Sequence, residues 1–291
     1  MLHECNMWVL GGDLRQARLA ELLAEDGHRV YAYGLERAVH ATEDLSVRED
    51  LEGIGRADCV IFPLPAADAS GMLHCPLSSQ RVQVTHILQK LSPSQAILGG
   101  RVDKATAGAA AELGLTMEDY LSREELAVAN AVPTAEGAIQ IAMEEMPITI
   151  HGARVLILGF GRVGRALAPR LQALGARVTV AARRYEAMAW AESMGLGAER
   201  LDDLGAWLWG CDLVVNTIPA LVLGERELTL IRQDCLILDL ASKPGGVDYP
   251  AAERLGRRVV WALSLPGKTA PASAGAAIRD TVYHMLEERG L

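Results

Sequence analysis

Three glycines spaced as Gly159-x-Gly161-x-x-Gly164 constrain this chain more than any other feature. They follow the apolar run Val155–Leu158, which reads as a strand. After them Val163, Leu167, Leu171 and Leu174 recur on one helical face until Gly175 stops the helix and RVTVA begins a second strand. In that setting Gly159 permits a tight turn, Gly161 lets the backbone approach a pyrophosphate, and Gly164 brings helix against strand. The helix N-terminus adds N–H groups and a partial positive charge. A purely structural glycine turn is the plainer alternative, but the flanking elements are those a dinucleotide site needs. Pro169 inside the helix predicts a local kink, since an interior proline costs ~3 kcal/mol.

The end of the second strand selects the dinucleotide. An acid there would bond the ribose 2′-hydroxyl of NAD. This chain offers Ala181 and Ala182, then Arg183 and Arg184, whose guanidiniums suit a 2′-phosphate. The reading therefore favours NADP over NAD, against the alternative of two solvated loop arginines. Contacts to the cofactor are expected from the loop itself, Gly159, Phe160, Gly161, Arg162, Val163 and Gly164, and from Arg183 and Arg184. Further contacts are expected where later strands end, at Thr217, Ile218 and Pro219 and at Ala241 and Ser242. Asp239, Ser242 and Lys243 fall near the expected nicotinamide.

Short apolar runs alternate with amphipathic stretches along all 291 residues, predicting an α/β chain of two Rossmann-like domains. In the second half, strands are expected at Arg154–Leu158, Arg177–Ala181, Asp212–Asn216, Cys235–Asp239 and Arg258–Ala262. These five make a doubly wound parallel sheet, with helices at Arg162–Leu174, Tyr185–Met194, Leu201–Trp209 and Tyr249–Leu255. In the first half, strands are expected at Met7–Leu10, Arg29–Tyr33, Cys59–Phe62 and Ala96–Leu98, and helices at Leu14–Glu25, Ser79–Leu91, Asp103–Leu113 and Arg123–Ala131.

The resulting division is 1–132 for a substrate or partner domain completed by 270–291, 133–150 for a linking helix, and 151–269 for the dinucleotide domain. Thr134 is read as N-cap of the linking helix Thr134–Glu145, with Ile139, Ala142 and Met143 on its apolar stripe. The terminal helix Ala274–Arg289 presents Ile278, Val282 and Met285 on one face, suited to packing back on the first domain.

A faint repeat relates the halves. Laying Gly11 over Gly159 also aligns Gly27 with Gly175 and Val30 with Val178 without a gap, but sets Asp13 over Gly161 and Gln16 over Gly164. The first copy thus keeps the strand–turn–helix pattern and loses the glycines, and the Asp13 carboxylate would repel a diphosphate.

Composition narrows the classes. A net charge of −9 argues against general nucleic-acid or anionic-membrane binding, both of which want a positive field. The five cysteines are scattered and form no CxxC pair, so no metal site is expected and a reducing, cytoplasmic setting is the natural one. No signal-peptide pattern and no bilayer-length apolar run stand out.

The blocks GGDLRQ (Gly11–Gln16), VPTAEGAI (Val132–Ile139), LGFGRVG (Leu158–Gly164), NTIP (Asn216–Pro219), DLASKPGGVDY (Asp239–Tyr249) and LPGKTAPASAG (Leu265–Gly275), in this order along the whole chain, resemble the dipicolinate synthase A-subunit family. The resemblance implies an NADP-binding subunit working with a flavoprotein B subunit. Together they would make pyridine-2,6-dicarboxylate from a dihydro- or hydroxytetrahydro-dipicolinate of the lysine pathway during sporulation, in the mother-cell cytoplasm of a spore-forming bacterium. A homo-oligomer is expected. Aromatising the ring removes two hydrogens, a task for a hydride acceptor. A dicarboxylate needs cations or helix N-termini around it, so Arg15, Lys268, Ser273 and the start of the Thr134 helix are candidate substrate contacts. Lys243 and Asp13 are the candidates for catalysis, Asp13 serving as a base or only as a helix cap.

Two rival readings stand beside this one. The second half also looks like the nucleotide domain of D-2-hydroxyacid dehydrogenases, which need an Arg and a Glu-oriented His. Here His284 is the only histidine after the glycine loop, and Lys243 occupies the arginine-like place, which disfavours that reaction. The other rival is a non-catalytic NADP-binding subunit that stabilises or regulates its partner. His74 and Cys75, being adjacent, make a poor nucleophile–base pair and read as a loop contact.

Overall fold

A computed structural model describes residues 4–291. The chain runs β1 (Asn6–Leu10), α1 (Leu14–Glu25), β2 (Arg29–Tyr33), β3 (Leu45–Arg48), β4 (Cys59–Ile61), α2 (Val84–Leu88), β5 (Ala96–Gly99), α3 (Lys104–Glu112), β6 (Met117–Asp119) and α4 (Glu124–Glu145). It continues β7 (Arg154–Leu158), α5 (Arg162–Ala173), β8 (Arg177–Ala182), α6 (Tyr185–Ser193), β9 (Gly197–Arg200), α7 (Gly205–Leu208) and β10 (Leu213–Asn216). The last elements are α8 (Glu225–Leu230), β11 (Leu236–Asp239), α9 (Tyr249–Arg254), β12 (Arg258–Trp261), α10 (Leu265–Thr269) and α11 (Pro271–Arg289).

Two compact units result, 1–130 with 270–291 and 131–269. Each holds one six-stranded sheet, all of whose pairings are parallel. The orders β3-β2-β1-β4-β5-β6 and β9-β8-β7-β10-β11-β12 are the same topology read twice. β1 with β7 and α1 with α5 keep the Gly11-to-Gly159 offset residue for residue, so the faint repeat is a structural one. No helix among the described residues is long and apolar enough to cross a membrane.

Buried parallel strands explain the uninterrupted apolar runs, since both faces are covered by helices. In the first unit α11 packs on α1, and Ile278, Val282, Met285 and Leu286 join Leu19, Leu23 and Val9 in one core. Gly275 makes the approach possible, because a Cβ there would stand 2.7 Å from the Arg15 carbonyl oxygen. In the second unit Ala135, Ala138 and Ala142 of α4 and Leu167 and Leu171 of α5 close over β7 and β8.

Several expectations are corrected. Strands β3, β6 and β9 were not anticipated, so the second sheet has six strands where five were expected. All three are short edge strands. The helix expected over Ser79–Leu91 shrinks to α2, because Gln83 bridges to Met72 and the Leu73 N–H bonds the Val82 carbonyl, drawing that segment into extended pairing. Leu201–Trp209 divides into a 3-10 turn, Leu201–Asp203, and α7.

The helices expected at Arg123–Ala131 and Thr134–Glu145 are one helix, α4, with Pro133 inside it. Thr134 is therefore not an N-cap but a mid-helix residue, and Met143, placed on the apolar stripe by sequence, is 63% exposed. The buried stripe is Ala131, Ala135, Ala138 and Ala142. α5 is assigned as a single helix through Pro169.

Truncating Leu286 to Ala would open a cavity where α11 meets the first core. An unfolding free energy lower by about 2–5 kcal/mol is expected from urea denaturation, the range for a buried leucine.

Candidate functional site

In the second unit β7 delivers the chain to Gly159, whose φ of 95° suits glycine alone. A Cβ there would lie 2.5 Å from Thr217 Oγ1 and 2.8 Å from Ile218 Cγ1, so the end of β10 presses on the turn. Thr217 donates both its hydroxyl and its N–H to the Leu158 carbonyl, each at 2.9 Å. Gly164 makes the other close approach, because a Cβ there would collide with the Gly159 carbonyl oxygen. Gly161 differs from both: it N-caps α5, and a Cβ there would meet nothing within 4 Å. The first and third glycines satisfy packing, whereas the second leaves open space before the N-terminus of α5, the end of a helix suited to an anion.

A cavity of about 380 Å³ lies over this turn. The loop contributes Gly159, Phe160 and Gly161, and the segment after β10 contributes Thr217, Ile218 and Pro219. Arg183 and Arg184 close it from the end of β8, with Ala182 and Ala187 beside them. No acidic residue lines it. Arg183 is exposed and forms no ion pair among the described residues. Arg184 Nη1 stands 3.8 Å from Glu186 Oε2 with both side chains largely exposed, a weak pair that leaves the guanidinium available. Every residue of this wall was legible in the sequence apart from Ala182 and Ala187, which carry no chemical signal.

Arg162 and Val163 occupy the first turn of α5, outside the cavity lining, and Gly164 lies buried behind it. Ala241 and Ser242 do not line the cavity either. Ala241 is buried and bonded at both ends, its N–H to Asp239 Oδ1 at 3.0 Å and its carbonyl to Trp261 Nε1 at 2.9 Å.

What holds these loops is a buried network that sequence reasoning missed. Asn216 and Asp239 end β10 and β11 as direct cross-strand partners, and neither is exposed at all. Asn216 Nδ2 donates to Asp239 Oδ1 at 2.8 Å and to the Ile218 carbonyl at 2.9 Å, while its Oδ1 accepts from the Ile218 N–H at 3.0 Å. Asp239 Oδ2 accepts from the Gly246 N–H and the Tyr249 hydroxyl, both at 2.7 Å. Burial first, and then that bond to the Asp239 carboxylate, raise the Tyr249 phenol above its ordinary range. Tyr249 stacks on Trp261 with centroids 4.9 Å apart. Asp239, expected near the nicotinamide, is thus an internal strut whose two oxygens are both occupied. The available signal was a polar residue closing each of two apolar strands.

The remaining candidates divide between the units. Lys243 and Lys268, in the second, are exposed, and neither side chain forms an ion pair among the described residues. α10, which carries Lys268, packs on α4 at Gly137, where a Cβ would lie 2.6 Å from Thr269 Oγ1. Thr134 sits one turn earlier in mid-helix, so the helix end proposed as an anion site does not exist there. In the first unit Ser273 is exposed in the opening turn of α11. Asp13 N-caps α1 and accepts from Arg15 Nε at 2.9 Å and Nη2 at 2.8 Å. Arg15 is only 8% exposed, and its charge is matched by that carboxylate. His284 lies on α11, 3.8 Å from Glu125, and has no place in the dinucleotide cavity.

The corresponding turn of the first unit is filled by its own chain. The Gly12 N–H bonds the His74 carbonyl at 2.7 Å, and a Cβ on Gly11 would meet that oxygen and Cys75 Sγ, each at 2.7 Å. Gln16, at the place of Gly164, is buried and donates to the Phe62 carbonyl at 3.2 Å. Burial lowers the His74 imidazole below its ordinary value, with Asp13 opposing.

The family model for the N-terminal domain of the dipicolinate synthase A subunit matches residues 6–121, and that for the D-isomer specific 2-hydroxyacid dehydrogenase NAD binding domain matches 123–238. The dipicolinate synthase A subunit of Bacillus subtilis is 31% identical over 290 residues, 99% of this chain and 98% of that protein. The crystal structure of that Bacillus subtilis protein superposes with a TM-score of 0.90, covering 99% of this chain and 97% of that one at 31% identity. The A subunit from Bacillus halodurans gives 0.91 at 28% identity, covering 97% of each. A transhydrogenase from Sinorhizobium meliloti, at 16% identity and a TM-score of 0.73 over 98% of this chain and 94% of that one, shares the fold. The second unit is thus a dinucleotide-binding domain of the dehydrogenase type.

Replacing Asp239 by Asn would set an amide donor against groups that already donate. Each lost bond to the charged carboxylate is worth about 1.5–3 kcal/mol, and a loss of at least that size is expected in chemical denaturation.

Proposed function

The chain belongs to the family of dipicolinate synthase A subunits, and on that premise we propose that it binds NADP and takes part in forming pyridine-2,6-dicarboxylate from a dihydro- or hydroxytetrahydro-dipicolinate. The observation that carries the cofactor choice is the acid-free cavity in which Arg183 and Arg184 face the open Gly161 turn. The first turn of α5 would take the diphosphate, Arg183 the 2′-phosphate with Arg184 in support, and Thr217–Pro219 the adjoining ribose. When bound, NADP would supply the acceptor for the one hydride that leaves a dihydro ring, together with one proton, as it becomes aromatic.

Ala241 and Ser242 stand at the next strand end, within reach of the cofactor's nicotinamide half in this reading. Lys243, exposed and unpaired among the described residues, is suited to hold a substrate carboxylate or carry the proton. In the second unit Lys268 would add a further cation for the dicarboxylate; in the first unit, taken by itself, Arg15 and Ser273 are the proposed contacts. Asp13, bonded in bidentate fashion to Arg15, serves this reading better as the residue that orients the guanidinium than as a base. A flavoprotein B subunit is the proposed partner, and the cytoplasm of the sporulating mother cell the proposed setting, in keeping with the Bacillus relatives. The proposed assembly also contains more than one copy of this chain.

Calorimetric titration with NADPH and NADH tests the cofactor. NADPH is expected to bind at least about tenfold tighter, since one charged hydrogen bond is worth ~1.5–3 kcal/mol and 1.4 kcal/mol is a factor of ten. Arg183→Ala is expected to abolish most of that preference while leaving NADH binding nearly unchanged. Equal affinities in the native protein would sink the NADP assignment. Turnover of dihydrodipicolinate, followed at the absorbance of NADPH with and without the flavoprotein, then tests the reaction; dinucleotide binding with no turnover in either case would leave a regulatory role.

A further inference from the structure

The second sheet carries another cavity, of about 410 Å³, at the amino-terminal half of β7 and β8, and it shares no lining residue with the dinucleotide cavity. It exists because α7 has only four residues and leaves this face of the sheet partly uncovered. Its floor is Leu156 and Thr179, and its wall is formed by Trp207 and Trp209. Trp209 is 69% exposed, unusual for so large an apolar ring. The turn that carries it is pinned, since the Trp207 carbonyl accepts from the Gly210 N–H at 3.1 Å and from Cys211 Sγ at 3.2 Å.

Over this floor stand two arginines in direct opposition. Arg154 and Arg177 are cross-strand partners in the β7–β8 register, as are Leu156 and Thr179, so all four share one face. Like charges placed opposite one another destabilise a sheet. Arg154 Nε lies 3.6 Å from Asp212 Oδ2, but that carboxylate is shared with Arg232 Nη2 at 3.1 Å. Arg177 has no ion pair and Thr179 no hydrogen bond through its hydroxyl among the described residues. The chain therefore concentrates unmatched positive charge beside two indoles, on a protein whose net charge is −9.

We propose that the pocket formed by Arg154 and Arg177 against Trp207 and Trp209 binds a planar aromatic carboxylate, its ring on the indoles and its carboxylate between the opposed guanidiniums. Aromatic faces stack favourably, and the arginine fork matches a carboxylate. A neutral apolar ligand would leave the arginines opposed, and a phosphate would find neither a glycine loop nor a helix N-terminus. As a second step, which rests on the function proposed above, the pyridine-2,6-dicarboxylate product is the physiological ligand and reports its own abundance at a place remote from the dinucleotide turn.

The test is a calorimetric titration of the full chain with benzene-1,3-dicarboxylate, cyclohexane-1,3-dicarboxylate and pyridine-2,6-dicarboxylate. The planar benzene ligand is expected to bind, and the non-planar ring of equal charge to bind several-fold more weakly. Arg177→Gln and Trp209→Ala, both exposed positions, are expected to cut the affinity about tenfold or more, the scale of one charge-assisted bond. Lys243→Ala is expected to leave it unchanged, which separates this pocket from the site proposed for substrate. Binding unaffected by Arg177→Gln and Trp209→Ala, or no binding at all, would overturn the proposal. So would a change of sedimentation in those variants without loss of ligand, which would make the face an interface between chains. Benzene-1,3-dicarboxylate binding here, with pyridine-2,6-dicarboxylate failing to compete, would keep the site and refute only its link to the product.

Discussion

A carboxylate with no solvent exposure, that of Asp239, is what the dinucleotide loops depend on. Removing such a group from water costs several kcal/mol unless hydrogen bonds replace its hydration. Here four donors do so: Asn216 Nδ2, the N–H groups of Ala241 and Gly246, and the Tyr249 hydroxyl. Because those donors belong to the end of β10, the loop after β11 and the start of α9, satisfying one charge sets the path of the chain after both strands. Asn216 extends the same constraint to Ile218, which in turn presses on Gly159. The turn facing the cofactor is therefore anchored to the core through a chain of short contacts rather than by the glycines alone.

The two units show how far one topology can be taken in opposite directions. Both present a strand, a glycine turn and a helix at the point where strand order reverses, the usual place for a ligand in such sheets. In the second unit the turn opens at Gly161. In the first, His74 and Cys75 are laid against Gly11 and Gly12, and Asp13 directs its carboxylate to Arg15. The space before that turn is filled by the chain itself and a carboxylate stands where the second unit has Gly161, without change to the sheet. The two units lie in one polypeptide, the first matched by the N-terminal domain model of the A subunit and the second by a dehydrogenase NAD binding domain model.

Much of this was legible because the informative residues are close in sequence. The glycine loop, the apolar strands around it and the two arginines after RVTVA lie within thirty positions and meet in one cavity. The errors arose where distant partners outweigh local preference. LSVR, MED and GAER have little strand character and become strands only because a neighbouring edge offers them hydrogen bonds. Pro133 invites a break between two helices. The buried alanines Ala131, Ala135, Ala138 and Ala142 nevertheless line one face of a single helix, and packing of that face overrides the local penalty.

By itself the sequence determined the α/β class, the repeated strand–turn–helix plan, the loop suited to a dinucleotide and the absence of an acid after its second strand. Each of these is a matter of spacing along the chain, and spacing is what a helix or strand converts directly into geometry. Only the tertiary structure decided that Asp239 is a strut, that Arg15 is matched by Asp13, that Thr134 is no helix end, and that Arg154 and Arg177 stand opposed beside two tryptophans. Those facts turn on which strands are neighbours, in what register and how deeply buried, and such relations arise from cooperative packing of segments far apart in the chain.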